Sequence, residues 1–130
     1  MKQAIGSVTF LVKDYNEAID YFTNKLQFEL IEDSPLSETK RWVLVSPKGG
    51  GGTSLLLAKA STAEQEKSVG SQTGGRVAFF LHTDNFDRDY EKMRESGVNF
   101  LENPREEKYG KVVIFQDLYG NRWDFIQHYF

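Results

Sequence analysis

The feature that most constrains this chain is an order of elements that occurs twice. Val8, Phe10 and Val12 alternate with Ser7, Thr9 and Leu11, so residues 5–12 read as a strand. Asp14, with Glu17 three residues on, forms a capping box that opens a helix, and Ala18, Phe22 and Leu26 share one face of it. Strands are expected over residues 28–31, 41–45 and 53–58, with Ser34-Pro35 as a turn and Gly49 to Gly52 as a flexible hairpin tip. The polar residues 59–75 read as a linker with a helical turn around 63–67. The pattern then restarts at an offset of about 69 residues, Val77 matching Val8 and Phe79 matching Phe10. Asp84 is expected to cap a second helix, with Phe86, Tyr90, Met93 and Gly97 on one face. Strands at 98–101, 112–115 and 123–129 complete the second module, with a polar loop over 104–110. Asp117-Leu118-Tyr119-Gly120-Asn121 is turn chemistry.

The expected fold class is therefore α+β: one domain of two tandem βαβββ modules, residues 1–58 and 76–130, joined by the linker 59–75. One helix covers only one face of a four-stranded sheet, so the other face is left for the second module, a second chain or a ligand. Two such sheets side by side are expected to curve into a cup of mixed sheet, with the helices on the convex side. Hydrophobic residues at 39% and charged residues at 27% argue against a disordered chain. A net charge of −3 without a basic stripe gives a nucleic-acid partner no support. No apolar run suggests a membrane span. The absence of cysteine excludes disulfides and thiolate chemistry. The opening MKQAIGSVTF has no secretory signal pattern, and a cytoplasmic protein is expected.

The segment from Ser7 to Asp14 leading into Ala18, Phe22 and Leu26-Gln27-Phe28 carries a family resemblance. So do Tyr109-Gly110 and the stretch from Phe115 through Asp117-Leu-Tyr-Gly120-Asn121 to Asp124. On these residues the chain resembles the vicinal oxygen chelate superfamily, which includes glyoxalase, bleomycin-resistance proteins and extradiol dioxygenases. Leu118 replaces a proline common there. The resemblance implies a cup in which the family's metal enzymes hold a divalent ion with four ligands, from the first and last strands of each module. Carried over position by position, those places fall on Ser7, Leu56, Arg76 and Asp124. Leucine has no lone pair and arginine is a permanent cation, so no metal and no cofactor are expected.

Asp124 lies between Trp123 and Phe125, which are expected to face the helices, so its carboxylate is placed on the opposite, concave face. It reads as half of an ion pair with Arg76, or as a general base whose pKa is raised among apolar groups. His82 shares parity with Arg76 and Phe80. It reads as a strand-end histidine bonded to the next turn, or as a proton-transfer group. His128, in parity with Asp124, reads as a surface or interface histidine. Trp42 is a candidate stacking surface or core residue. Tyr109 borders the cavity mouth in similar proteins, and residues 105–108 before it read as a solvated loop.

The reading the resemblance implies is a bleomycin-resistance-like protein that binds an unknown small molecule in the cup without metal. Ser7, Trp42, Leu56, Arg76, Phe80, Tyr109 and Asp124 are the expected ligand-binding residues. The alternative is a metal-independent lyase or isomerase with Asp124 or His82 as base. A metal-dependent enzyme resembling lactoylglutathione lyase ranks last. A homodimer is expected.

Overall fold

The computed structural model describes residues 1–129. The chain divides into two compact units, Met1–Val69 and Gly70–Phe130.

The first unit contains β1 (Ser7–Val12), α1 (Tyr15–Asp20), β2 (Glu29–Pro35), β3 (Arg41–Ser46), β4 (Ser54–Lys59) and α2 (Ala63–Ser68). The strands pair in the order β1-β4-β3-β2, with β1 parallel to β4 and the other neighbours antiparallel. Asp14 caps α1, its Oδ2 accepting from the Glu17 N–H at 2.8 Å. The helix runs on as a π-helical turn, Tyr21–Lys25, and the Leu26 N–H reaches back to the Tyr21 carbonyl. Gln27, at φ 61°, ends it in the left-handed region. Phe10, Val12, Val43, Val45 and Leu57 are fully buried, as are Ala18 and Phe22 of the helical segment. The Phe22 ring meets Phe10 edge-on at 5.1 Å, which joins the helical segment to the sheet.

Ser34 and Pro35 are not the turn expected of them. They belong to β2, and the turn falls at residues 36–40, where the Leu36 and Ser37 N–H groups donate to the Lys40 carbonyl. Strand β2 is an edge strand, where a proline's missing donor is tolerated. The helical turn expected around 63–67 is α2, with Thr62 as its N-cap, and it belongs to the first unit.

The second unit contains β5 (Val77–His82), α3 (Phe86–Glu95), β6 (Asn99–Phe100), β7 (Arg105–Glu107), β8 (Gly110–Gln116) and β9 (Arg122–His128). The order is β5-β9-β8-β6, with β7 also on β8 and β5 parallel to β9. This repeats the first unit's order, with β6 and β7 together in the place of β2. The polar loop expected over 104–110 is therefore partly a strand, since residues 105–107 pair with 110–112. Residues 101–104, with Pro104, interrupt the edge. The α3 cap is Asn85 rather than Asp84: its Oδ1 accepts from the Arg88 N–H at 3.2 Å, while Asp84 pairs with the Arg88 guanidinium. Phe86 packs at 5.2 Å from Phe125, so α3 lies over the Trp123–Phe125 face of the sheet. Among the described residues no helix is long and apolar enough to cross a membrane.

Candidate functional site

In the first unit, register assembles a groove on the sheet face turned away from α1. Thr9 lies opposite Leu56, Leu11 opposite Ala58, and Leu44 opposite Leu56. Trp42 shares the parity of Leu44, and its side is open, with 37% of the residue exposed. Thr9, Leu11, Trp42, Leu56 and Ala58 line an open groove of about 630 Å³, with Leu36 and Thr39 of the hairpin arm and Gln65 and Glu66 of α2 also lining it. That volume lies in the range that takes a small organic molecule.

Arg41 stands at the edge of the groove, but its guanidinium is turned to the α1 side of the sheet and fixed there from three directions. It grips Asp33 through two N–H groups at 3.1 and 2.6 Å and donates to Asn16 Oδ1 at 2.9 Å. It also lies 5.1 Å from the centre of the Tyr15 ring. The Arg41 hydrogen bond holds the Asp33 carboxyl below its ordinary range.

In the second unit the face opposite α3 carries Asp124, Phe80 and His82. Asp124 is half-buried, and burial pushes its carboxyl above the ordinary range. The Arg105 guanidinium pulls it back and Glu102 adds to the rise. Arg105 donates to Glu102 at 3.0 Å and to Glu107 at 2.6 Å, while Glu102 also accepts from the Ile114 N–H. Phe80, opposite Asp124, is 64% exposed. His82 is exposed too, and its ring stands edge-on to His128 at 4.8 Å, with Tyr109 beyond at 6.3 Å from His128.

The expected Arg76–Asp124 ion pair is not formed. Arg76 precedes β5 and is exposed, and among the described residues no ion pair joins it to Asp124. A register shift between Val77 and Phe79 sets Phe80 opposite Asp124, four residues beyond Arg76. Of the expected binding residues, Trp42 and Leu56 share the groove, while Ser7 lies on β1 outside its lining. Phe80 and Asp124 meet on the second sheet; Tyr109 instead joins the His82–His128 group. Leu56 follows from the resemblance, as one of the places carried over from the family's ligand set; Thr9, Leu11 and Ala58 share its face by strand register.

The four positions where the resemblance implies metal ligands do not fit a metal ion. Ser7 offers one exposed hydroxyl, Leu56 no donor, and Arg76 a cation; Asp124 has Arg105 as its charged neighbour. Among the described residues, no three His, Cys, Asp or Glu are gathered so as to hold a metal.

The family model of the Glyoxalase/Bleomycin resistance protein/Dioxygenase superfamily matches residues 4–125, and the chain belongs to that superfamily. It is 54% identical over 128 residues to an uncharacterised protein of Shewanella frigidimarina, spanning 98% of this chain and 95% of the relative. Among solved structures it is similar to UcmS2, with a TM-score of 0.83, 27% identity and coverage of 97% and 98% of the two chains. It is likewise similar to TnmS3, an antibiotic binding protein from Streptomyces sp. CB03234, with a TM-score of 0.78 and 27% identity over 98% and 97%.

Proposed function

We propose that the protein binds a small, largely apolar molecule in the first unit's groove, without a metal ion, and works as a homodimer. The observation that carries this reading is the groove itself: an open aromatic face on Trp42 beside Leu11, Leu56 and Ala58, at a volume suited to one ligand. The similarity to TnmS3 supports binding over catalysis, and the misfit of the four positions supports independence from metal.

The test is a titration with the fluorescent probe N-phenyl-1-naphthylamine in the presence of a chelator. Saturable one-to-one binding is expected. Trp42→Ala removes the stacking surface and weakens binding about tenfold, on the order of 1.4 kcal/mol. Binding that needs added divalent metal, or that ignores Trp42→Ala, would contradict the proposal.

A second reading has its own observation. Asp124, raised by burial and open beside Phe80, has the placement of a general base for a metal-independent lyase or isomerase.

A further inference from the structure

The second unit leaves a half-buried carboxylate without a partner. Among the described residues, the Asp124 side chain makes no hydrogen bond and no ion pair. Strand register fixes what surrounds it. Phe79 packs on Trp123 at 4.6 Å, and Phe86 of α3 packs on Phe125 at 5.2 Å, so those strand residues take the α3 face of the sheet. Phe80 and Asp124 are direct partners on β5 and β9 and stand together on the opposite face. Ile114 of β8 is the partner of Asp124 on its other side. Neighbouring strands lie about 4.8 Å apart, which sets the carboxylate beside the Phe80 ring. That ring is 64% exposed. The nearby cations do not neutralise Asp124. Arg105 is held by Glu102 at 3.0 Å and Glu107 at 2.6 Å, two carboxylates to one guanidinium. Arg122, two residues before Asp124 on β9, is exposed and forms no ion pair among the described residues.

We infer that this face binds a small organic cation, an ammonium group on an apolar body, with the charge on Asp124 and the body against the Phe80 ring. A carboxylate accepts strongly from a charged N–H donor, and the face of an aromatic ring attracts the same positive charge. An anion would instead meet Asp124 together with Glu102 and Glu107. The inference goes beyond the groove reading and does not depend on it, and it asks for no catalysis by Asp124.

Benzylammonium and benzyl alcohol share a ring and differ in charge, so together they separate charge from shape. Binding is read from the backbone signals of Phe80 and Asp124 in a ¹⁵N–¹H spectrum. The native protein is expected to bind benzylammonium about tenfold more tightly than the alcohol, the combined scale of one charge pair and one exposed cation–π contact. Raising salt from about 20 to about 500 mM narrows the difference, because the site is open to screening. Asp124→Asn brings the two probes to equal affinity. Phe80→Leu keeps an apolar side chain without the ring and weakens benzylammonium about threefold. Glu29→Gln, which removes an exposed carboxylate from β2, keeps the preference. Equal affinities in the native protein, or a preference that survives Asp124→Asn, overturn the inference. A preference lost equally in Glu29→Gln overturns it too, since net charge alone would then be responsible. So does benzylammonium that shifts the Trp42 indole and leaves Phe80 and Asp124 unmoved. Phe80 and Asp124 signals that answer to protein dilution and to neither probe overturn it in favour of a second copy of this chain.

Discussion

Asp117 holds the second unit's last turn from within. Its Oδ1 accepts from the backbone N–H groups of Tyr119, Gly120 and Asn121 at 2.9–3.1 Å. Its Oδ2 accepts from the Asn121 side chain at 3.0 Å and the Trp123 indole at 2.9 Å. Burial pushes this carboxyl up, and the hydrogen bonds from Trp123, Asn121 and Tyr119 draw it back down, with a net rise. Asp117→Asn sets an amide donor against the donors that now meet Oδ2. It is expected to cost about 1–3 kcal/mol in urea unfolding, the scale of one buried polar group left unpaired. The turn was legible from Gly120 and Asn121. The grip on Trp123 was not, because it joins residues six apart through side-chain geometry. Asp124 gives a prediction of opposite sign. Its pKa is raised in the folded state, so its stabilising contribution is complete below the ordinary carboxylate range and is lost as pH rises through the folded value. Asp124→Asn is therefore expected to raise the melting temperature at neutral pH. The gain should vanish as both proteins are taken to about pH 3. A variant less stable than the native protein at neutral pH would point to a carboxylate that is paired.

Among the elements, strands with plain alternation were readable and interrupted ones were not. Strand β1 shows its parity in sequence, and the groove floor follows from it. Strand β7 reads in the sequence as part of a polar loop over 104–110, because charged residues at an edge resemble solvated chain. There Arg105 bonds to Glu102 within the interruption and to Glu107 on its own strand. The register shift at Ala78 was equally invisible, since a bulge leaves no residue signature when neither neighbour is glycine. With Val77 opposite Arg122, Arg76 already falls three residues short of Asp124, and the shift adds a fourth. Gly110, by contrast, has a reason visible only in three dimensions. A Cβ there would lie 2.2 Å from the Gln127 carbonyl oxygen on β9. Gly110→Ala must push β8 from β9 and is expected to cost about 1–3 kcal/mol by chemical denaturation. An unchanged midpoint would show that the pair relaxes freely.

At the scale of the whole molecule, the repeat of strand order was the strongest thing the sequence offered. Both units keep it, the second with a divided edge strand. The site was only partly legible. Trp42 and Leu56 were named, but Thr9, Leu11 and Ala58, which line the groove with them, were not. The homodimer proposed here predicts a mass of about 30 kDa by light scattering, twice the 14.9 kDa chain; a single species at the chain mass would exclude it. The two tryptophans give the most direct test of metal-independent binding in the groove. Trp42 is open to the groove, whereas Trp123 is 3% exposed and bonded to Asp117. In a ¹⁵N–¹H spectrum with a chelator present, the Trp42 indole signal should shift saturably as N-phenyl-1-naphthylamine is added, while that of Trp123 stays in place. An unmoved Trp42 signal, or a shift that requires divalent metal, would contradict the account.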